Sequence, residues 1–517
     1  MSAGDVVSDA AHTLLPTPEE LEAQGRAETN SLPKENDLLH NLPKAMAQLQ
    51  QPLVDLHDIP ILRLAAIRIT GLKDTRNGFL AGMCRPYVDP TAPEAFLSDL
   101  RYGHRMYFPL PGQPTTIHAI LQSATSFSAD ISRMDLAKDI SVELEPSTVS
   151  DRHPHEDVDV VLRIRPASRF FLKTSTSVGN SEGTASVQGK IRNLFGGAES
   201  LEGSATLGTR TKHNYNVAFA TPVLSCPDLW ANVSAMSQHR DLTGYLSAHE
   251  AQHVLRSALM YAHLNGTRHE LAYEASHRHF HHILPEASVA LRRLAKPSIK
   301  SAITYTMERD LRDPSSANLV GSYFKTVLEY AGLGGDTSFM KMETQASVSD
   351  MLSEGWSWSL GFRTGIMKTL DNRAPCLSDR FMLGGPTCVR MFRMNTLGPK
   401  QKRTYDMCIS FSDESLGGDA YWAAGASLLA PIPTRSHWPL RLHTFLNTGQ
   451  LMQMQPHQPL GLRTFSELMQ PSASAGVGVL FQQGPVRLEL NFGLPLLARV
   501  GDGARKGIQF GIGLDFL

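Results

Sequence analysis

Near its C-terminus the chain reads Val486-Arg-Leu-Glu-Leu-Asn-Phe-Gly-Leu494 and then Gly507-Ile-Gln-Phe-Gly-Ile-Gly-Leu-Asp-Phe-Leu517. In the second stretch Ile508, Phe510, Ile512, Leu514 and Phe516 fall on one face, with Gln509, Gly511, Gly513 and Asp515 on the other. The first stretch repeats this design, with Val486, Leu488, Leu490, Phe492 and Leu494 set against Arg487, Glu489, Asn491 and Gly493. Period-two alternation is a strand signal, because successive side chains point to opposite faces. Two surroundings suit it: the half-buried sheet of a water-soluble protein, or a barrel wall with apolar residues in lipid and polar ones in the lumen. In a wall, Leu490 faces lipid and Asn491 faces a wet lumen.

Working back from these two strands, the same alternation recurs near 171–178, 183–192, 198–210, 213–221, 229–239, 243–253, 267–280, 299–310, 321–331, 337–350, 355–368, 419–430, 440–449 and 473–482, separated by Gly, Asn, Asp and Ser. That makes sixteen candidates between residues 167 and 517, or about 22 residues per strand with its connection, whereas a tilted membrane strand needs only about 9–11. A large β-sandwich or propeller has similar spacing, but no repeat of blade length is visible. Trp356 and Trp358, two apart on one face, fit an interfacial aromatic girdle or the core of a soluble sheet.

Upstream the character changes. Residues 1–54 are polar and acidic, broken by Pro16, Pro18, Pro33, Pro43 and Pro52, and read as a disordered tail. Residues 55–166 read as one small α+β domain in the order β-α-α-β-β. Its first strand is Ile61–Ile69, and its helix over 114–132 carries Ile117, Ile120, Leu121 and Ala124 at helical spacing. Strands near 140–144 and 158–164 complete it.

Of the 517 residues, 49 are basic and 50 acidic, a balance without the positive footprint of a nucleic-acid binder. No run of 18 apolar residues announces a helical membrane span. The five cysteines are scattered without a CxxC pair, so neither a disulfide framework nor a zinc ribbon is expected. The acidic start, with Asp5, Asp9, Glu19, Glu20 and Glu22, lacks the features of a secretory signal or a basic presequence, and cytosolic synthesis without a cleaved address is expected.

Three segments carry a family resemblance. Asp379-Arg-Phe-Met-Leu-Gly-Gly-Pro-Thr-Cys-Val-Arg-Met-Phe392 resembles the sixth-loop motif of the BamA-like barrel insertases, written DRFxLGGxxxVRGF. Gly417-Gly-Asp-Ala-Tyr-Trp422 is similar to a strand entry of the mitochondrial branch, and Gln509, Gly511, Leu514 and Phe516 fit the C-terminal β-signal. The resemblance covers residues 59–517 and is closest to the channel subunit of the mitochondrial sorting and assembly machinery (SAM).

It implies a sixteen-stranded transmembrane β-barrel over 167–517, preceded by a single POTRA-like domain over 55–166. A long sixth loop, 369–418, would fold into the lumen, held through Asp379, Arg380, Phe381, Gly384, Gly385, Arg390 and Phe392. It further implies an insertase of the mitochondrial outer membrane that pairs strands of β-barrel precursors at a seam between the first and last strands. Its partners would be unfolded precursors, accessory SAM subunits and the bilayer, with no nucleic acid, no cofactor, no metal and no covalent chemistry. Two departures stand out. Met391 occupies the place of the usual Gly, and Ser427 and Asn447 stand where bacterial relatives carry acidic residues, so Arg390 is expected to meet neutral acceptors.

Other readings compete. A plastid or bacterial-type translocation pore would share the loop, and a passive porin the barrel. His249-Glu250-Ala251-Gln252-His253 matches the zincin motif HExxH and suggests a zinc peptidase, but that motif requires a helix and here sits in a strand or its turn. His277, His279, His281 and His282 are expected to lie on a solvated loop or lumen face. Gly332, Gly334 and Gly335 are not followed by the Lys-Ser/Thr of a phosphate loop.

Overall fold

The computed structural model describes residues 62–89, 108, 113–147, 157–179, 182–263, 265–313, 320–353, 355–371, 375–403, 413–433, 438, 440–454, 468–483 and 486–513. The tail expected over residues 1–54, and the β-signal residues Leu514 and Phe516, lie outside them.

The front unit runs β1 (Leu62–Thr70), α1 (Asn77–Val88), β2 (Pro114–Thr115), α2 (Ile117–Arg133), β3 (Ala137–Pro146) and β4 (Asp157–Pro166). Its sheet order is β2-β1-β4-β3, with β1 parallel to β4 and β3 antiparallel to it. Thr116 caps α2 by accepting from the Ala119 amide at 3.4 Å, which satisfies one orphan donor of the first turn. The buried stripe of α2 is Ile120, Ala124, Phe127 and Ile131, rotated from the expected one because Ile117 is only half-buried. It packs on Leu64, Val160 and Leu162 of the sheet. Gly71 turns the chain out of β1 at φ +103°, where a Cβ would strike the Ile164 carbonyl.

Sixteen strands follow. They are β5 (Phe170–Gly179), β6 (Glu182–Arg192), β7 (Ser200–Gly208), β8 (Thr211–Pro222), β9 (Leu229–Asp241), β10 (His249–Ala262), β11 (Thr267–His281) and β12 (Ser298–Asp310). Next come β13 (Gly321–Gly335), β14 (Phe339–Ser353) and β15 (Trp356–Thr369). Inside the long connection that follows, β16 (Lys400–Gln401) and β17 (Glu414–Ser415) pair as a separate hairpin. The wall resumes with β18 (Ala420–Pro431), β19 (Leu440–Met452), β20 (Ser472–Gln483), β21 (Val486–Leu497) and β22 (Gly507–Gly513).

Each wall strand pairs antiparallel with its neighbours in sequence, from β5 at one end of the sheet to β22 at the other. The two ends approach within 8 Å between Cα atoms, yet no hydrogen-bonded ladder joins β5 to β22 among the described residues. One expected strand is misplaced. Residues 243–248 belong to a turn packed around Leu242, Leu246 and Leu291, and the strand instead runs from His249 to Ala262. The turn is closed by Leu246 N–H donating to the Leu242 carbonyl at 2.8 Å.

The two faces differ as a membrane wall requires. On β10, Glu250, Val254 and Ala258 are buried while Leu255 and Leu259 are exposed. On β21, Glu489 and Asn491 are buried while Leu490 and Phe492 are more than half exposed. A sheet that exposes its apolar face and buries its polar one is inside-out for water and correct for lipid. Trp356 is exposed and Ser357 buried, which puts the Trp356 and Trp358 face on the outside. No described helix is long and apolar enough to cross a membrane.

The front unit docks at one rim. Arg133 pairs with Asp228 at 2.6 Å, Arg76 with Glu199 at 2.5 Å, and Asp135 with Lys190 and Arg192 at 2.9 and 2.6 Å. On the barrel side Glu199, Lys190 and Arg192 sit in or beside the β6–β7 turn and Asp228 in the β8–β9 turn, so that rim is the near one.

Candidate functional site

The connection from β15 to β18 enters the lumen and bonds opposite walls. At its root, Asp379 accepts two hydrogen bonds from the Arg278 guanidinium of β11, at 2.5 and 3.1 Å, with both side chains buried. Ser378 donates to Glu250 of β10 at 2.5 Å, and Lys341 of β14 donates to the Asp379 carbonyl at 3.0 Å. Phe381 lies under the Lys341 ammonium and against Tyr421, with ring centroids 4.8 Å apart. Gly365 of β15 makes room for this pair, because a Cβ there would come within 2.7 Å of both rings. Arg380 donates to the Leu416 carbonyl at 3.3 Å, and burial lowers its pKa against the pull of Asp419.

Gly384 and Gly385 take the chain through φ +108° and +123°. A Cβ at Gly384 would stand 2.9 Å from the Arg393 carbonyl oxygen, so the paired glycines are what allow the loop to double back.

The tip is Arg390, completely buried. Its Nε and Nη2 donate to the two carboxylate oxygens of Glu489 at 2.9 and 3.1 Å, and Nη1 donates to Asn447 Oδ1 at 3.1 Å. The Phe445 ring centroid lies 5.3 Å from the guanidinium carbon. The Asn447 amide donates onward to the Cys388 carbonyl at 3.3 Å, and Ser474 donates to the Arg390 carbonyl at 2.7 Å. Neutral acceptors alone were expected, and Glu489 corrects that expectation. A guanidinium with no access to water needs a counter-charge, and a planar carboxylate matches its fork. Glu489 had already been placed on the polar face of its strand. The available clue was that β21, two strands from the Asn447 strand β19, carries this carboxylate on its inner face.

Ser427, the other expected acceptor, stands 3.0 Å from His443 Nε2. His443 Nδ1 donates to Asn491 Oδ1 at 3.1 Å, while the Asn491 amide donates to Glu489 at 2.8 Å. Asn491 is therefore part of a dry network behind Glu489, not a residue of a wet lumen, because the inserted loop displaces water from this side.

Met391 adopts φ +65°, the region that usually calls for Gly. Its side chain fits because the facing residue is Gly493, whose added Cβ would lie 3.0 Å from Met391 Cγ and Sδ. The bulk absent from the wall is present in the loop.

The tip also grips the last strand. Met391 N–H donates to Gln509 Oε1 at 2.8 Å, and Gln509 Nε2 donates to the Phe392 carbonyl at 3.3 Å. Phe392 bridges to Ala504, and Arg393 N–H donates to the Gly503 carbonyl at 2.8 Å. Gln509 is thus joined to the loop residues around Arg390. Gly511 pairs with Glu489 in the β21–β22 ladder. Near the β16–β17 hairpin, burial pushes the Lys400 ammonium down to about 8, against the pull of Asp502 and Asp413, and its Nζ donates to Ser415 at 2.6 Å.

The HExxH segment falls on β10. Its two histidines point outward, whereas Glu250 points into the lumen and holds Ser378. Four residues along a strand separate the imidazoles by roughly 13 Å, too far to share one metal ion.

A sixteen-stranded antiparallel wall that is apolar outside, with an arginine-tipped loop bonded inside, defines a transmembrane β-barrel with a lumen-inserted loop. A model described as the Omp85 superfamily domain matches residues 193–516. A SAM50-like protein of Schizosaccharomyces pombe is 32% identical over 501 residues, covering 95% of this chain and 99% of that protein. The sorting and assembly machinery component 50 homologs of Xenopus tropicalis and Homo sapiens are 30% and 29% identical, each covering 74% of this chain and 81% of the relative. Among solved structures, BamA from Haemophilus ducreyi lacking POTRA domains 1–3 matches with a TM-score of 0.66 at 14% identity, over 87% of this chain and 85% of that one. The chain belongs to the Omp85 superfamily, within its SAM50 family.

Proposed function

We propose that this protein inserts and assembles β-barrel precursors in the mitochondrial outer membrane, taking client strands at the seam between β5 and β22. The observation that carries this reading is the seam itself: two adjacent wall strands without a ladder among the described residues. An unpaired strand edge presents backbone donors and acceptors to any extended segment. No covalent step is needed. Backbone hydrogen bonds gained at the edge, together with transfer of the client's apolar face into lipid, supply the driving force.

In this reading the sixth loop is the brace that holds the last strands in place while the seam exchanges partners, through Asp379, Arg380, Phe381, Gly384, Gly385, Arg390 and Phe392. Gln509 and Gly511, with Leu514 and Phe516, form the chain's own β-signal. The front unit over 55–166 acts as a single POTRA domain that receives precursors, and accessory SAM subunits complete the machine. The pore and peptidase readings have no comparable support: the relatives are SAM50 proteins, and the HExxH histidines lie apart.

The test is site-specific cross-linking in isolated mitochondria. A radiolabelled porin precursor with one cysteine in its last strand is imported alongside the Thr174→Cys or Gly511→Cys variant of this protein. Disulfides to both edges during assembly are expected. Normal porin assembly with no cross-link to either edge would overturn the seam mechanism.

A further inference from the structure

We propose that His239, His249 and His281 form a binding site for one divalent transition-metal ion on the outer face of the barrel, at the rim away from the front unit. These residues come from β9, β10 and β11, three adjacent strands. His249 stands directly opposite His281 in the β10–β11 register and opposite Asp241 in the β9–β10 register. His239 belongs to the next row, opposite Ala251. Because Ala251 has almost no side chain, the His239 and His281 rings lean over the central strand and meet. Their Nε2 atoms are 2.5 Å apart and their centroids 4.2 Å apart. The ring of His249 lies 5.7 Å from His281 and 6.0 Å from His239.

One nitrogen from each residue falls within 4.8 Å of the others. A tetrahedral zinc ion with Zn–N bonds of about 2.0–2.1 Å needs ligand nitrogens about 3.3 Å apart, which small side-chain rotations from this arrangement reach. Asp241 Oδ1 is 3.6 Å from His249 Nε2 and is the nearest candidate for a fourth ligand. The Lys212 ammonium lies 3.1 Å from His249 Nδ1, so a metal would approach the other nitrogen of that ring. His281 Nδ1 is buried without a hydrogen-bond partner among the described residues, so this ring is positioned by its contacts with other imidazoles. Imidazole donors of this kind suit zinc, copper and nickel better than magnesium or calcium.

The placement has a consequence. The parity of β10 and β11 puts these rings on the same face as exposed Leu255 and Leu271, outside the lumen and away from the inserted loop. Asp241 ends β9, whereas β9 begins beside Asp228, which the front unit holds. A bound ion would therefore tie three wall strands together at the far rim and stabilise the folded barrel by linkage. His277, His279, His281 and His282 were expected on a solvated loop or lumen face; the first three instead stand on the outer face of β11, and His282 follows the strand.

The full chain, purified in detergent and freed of metal with a chelator, is titrated with zinc by calorimetry, and bound metal is measured after desalting. We expect one zinc ion per chain, with X-ray absorption reporting three nitrogen ligands. His239→Ala and His281→Ala should each weaken binding at least tenfold. Ala251→Leu should do the same with every histidine retained, because it wedges His239 from His281 on a lipid-tolerant face. His277→Ala, on the same face outside the trio, should bind as the parent does. Heat-modifiable gel mobility reports that each variant is folded. Substoichiometric binding by the parent chain, an equal loss in His277→Ala, or full affinity in Ala251→Leu would each overturn the site.

Discussion

Arg390 of the inserted loop and Glu489 of the penultimate strand meet through two parallel N–H···O bonds, and neither side chain retains any exposure. The loop and the wall next to the seam are therefore coupled by a charge pair that cannot be screened by solvent. Removing one partner of such a pair costs about 3–5 kcal/mol, because the other charge is left buried and uncompensated. Arg390→Ala and Glu489→Ala should each sharply reduce assembly of a radiolabelled porin precursor at equal protein level. Arg390→Lys should rescue only part, since an ammonium lacks the planar fork. The double variant should lose much less than the sum of the singles. Additive losses in that cycle would show that the pair does not act as a unit.

Gln509→Leu should loosen the last strand. The change leaves Met391 N–H and the Phe392 carbonyl without their partner, at a cost of roughly 1–3 kcal/mol for buried groups left unsatisfied. Hydrogen exchange should accelerate at the β22 amides and stay unchanged in β9 to β11. Uniform acceleration over the whole barrel would instead mean global destabilisation.

Met391→Gly should weaken the loop tip. Relief of the φ +65° backbone returns about 1 kcal/mol, less than the roughly 2–5 kcal/mol lost when a fully buried methionine is truncated, because the space left by Gly493 is then empty. Thermal unfolding in detergent should shift downward, and an unchanged midpoint would show that the loop collapses onto Gly493 without loss.

Leu490→Arg should destabilise the barrel by about 2–4 kcal/mol, the cost of a guanidinium facing mid-bilayer lipid, since Leu490 is exposed on the outer face. Asn491→Arg should be at least as damaging for a different reason: it inserts a second cation beside Arg390 and breaks the bonds to His443 and Glu489. Folded fractions measured by gel mobility after urea titration compare the two.

Lys400 supplies a pH dependence. Its pKa falls from 10.5 in the unfolded chain to about 8 in the folded one, so between those values the unfolded chain binds more protons. Stability therefore rises with pH across that window, and the burial penalty is fully present below about 8. Lys400→Met should stabilise the protein at pH 7, with an advantage that shrinks as pH climbs through the window. An advantage that is constant with pH would assign the effect to packing.

The wall was legible in the primary structure because period-two alternation is a local property: each residue's face depends only on its place in its own strand. Counting along Val486–Leu494 places Leu490 and Glu489 on opposite faces; that the apolar face is the outer one follows from closure of the sheet into a barrel. The loop motif was equally legible, since Gly384 and Gly385 mark a reversal that only glycine accommodates. The turn at 243–248 was not, because Leu246 and Ala248 alternate with Ser247 as in a strand and their place is decided by packing against Leu291 from a distant connection.

What a loop residue meets across the lumen was likewise undetermined. Arg390 and Glu489 are separated by 99 positions, and only the closing of the sheet and the entry of the loop bring them together. The same holds for Met391 against Gly493, a side chain and the space it fills, 102 positions apart in the chain. It holds again for His239, His249 and His281, whose convergence depends on the register of three strands and the small size of Ala251. Alternation determines which face a side chain takes. Register and loop insertion, products of the whole fold, determine what it touches there.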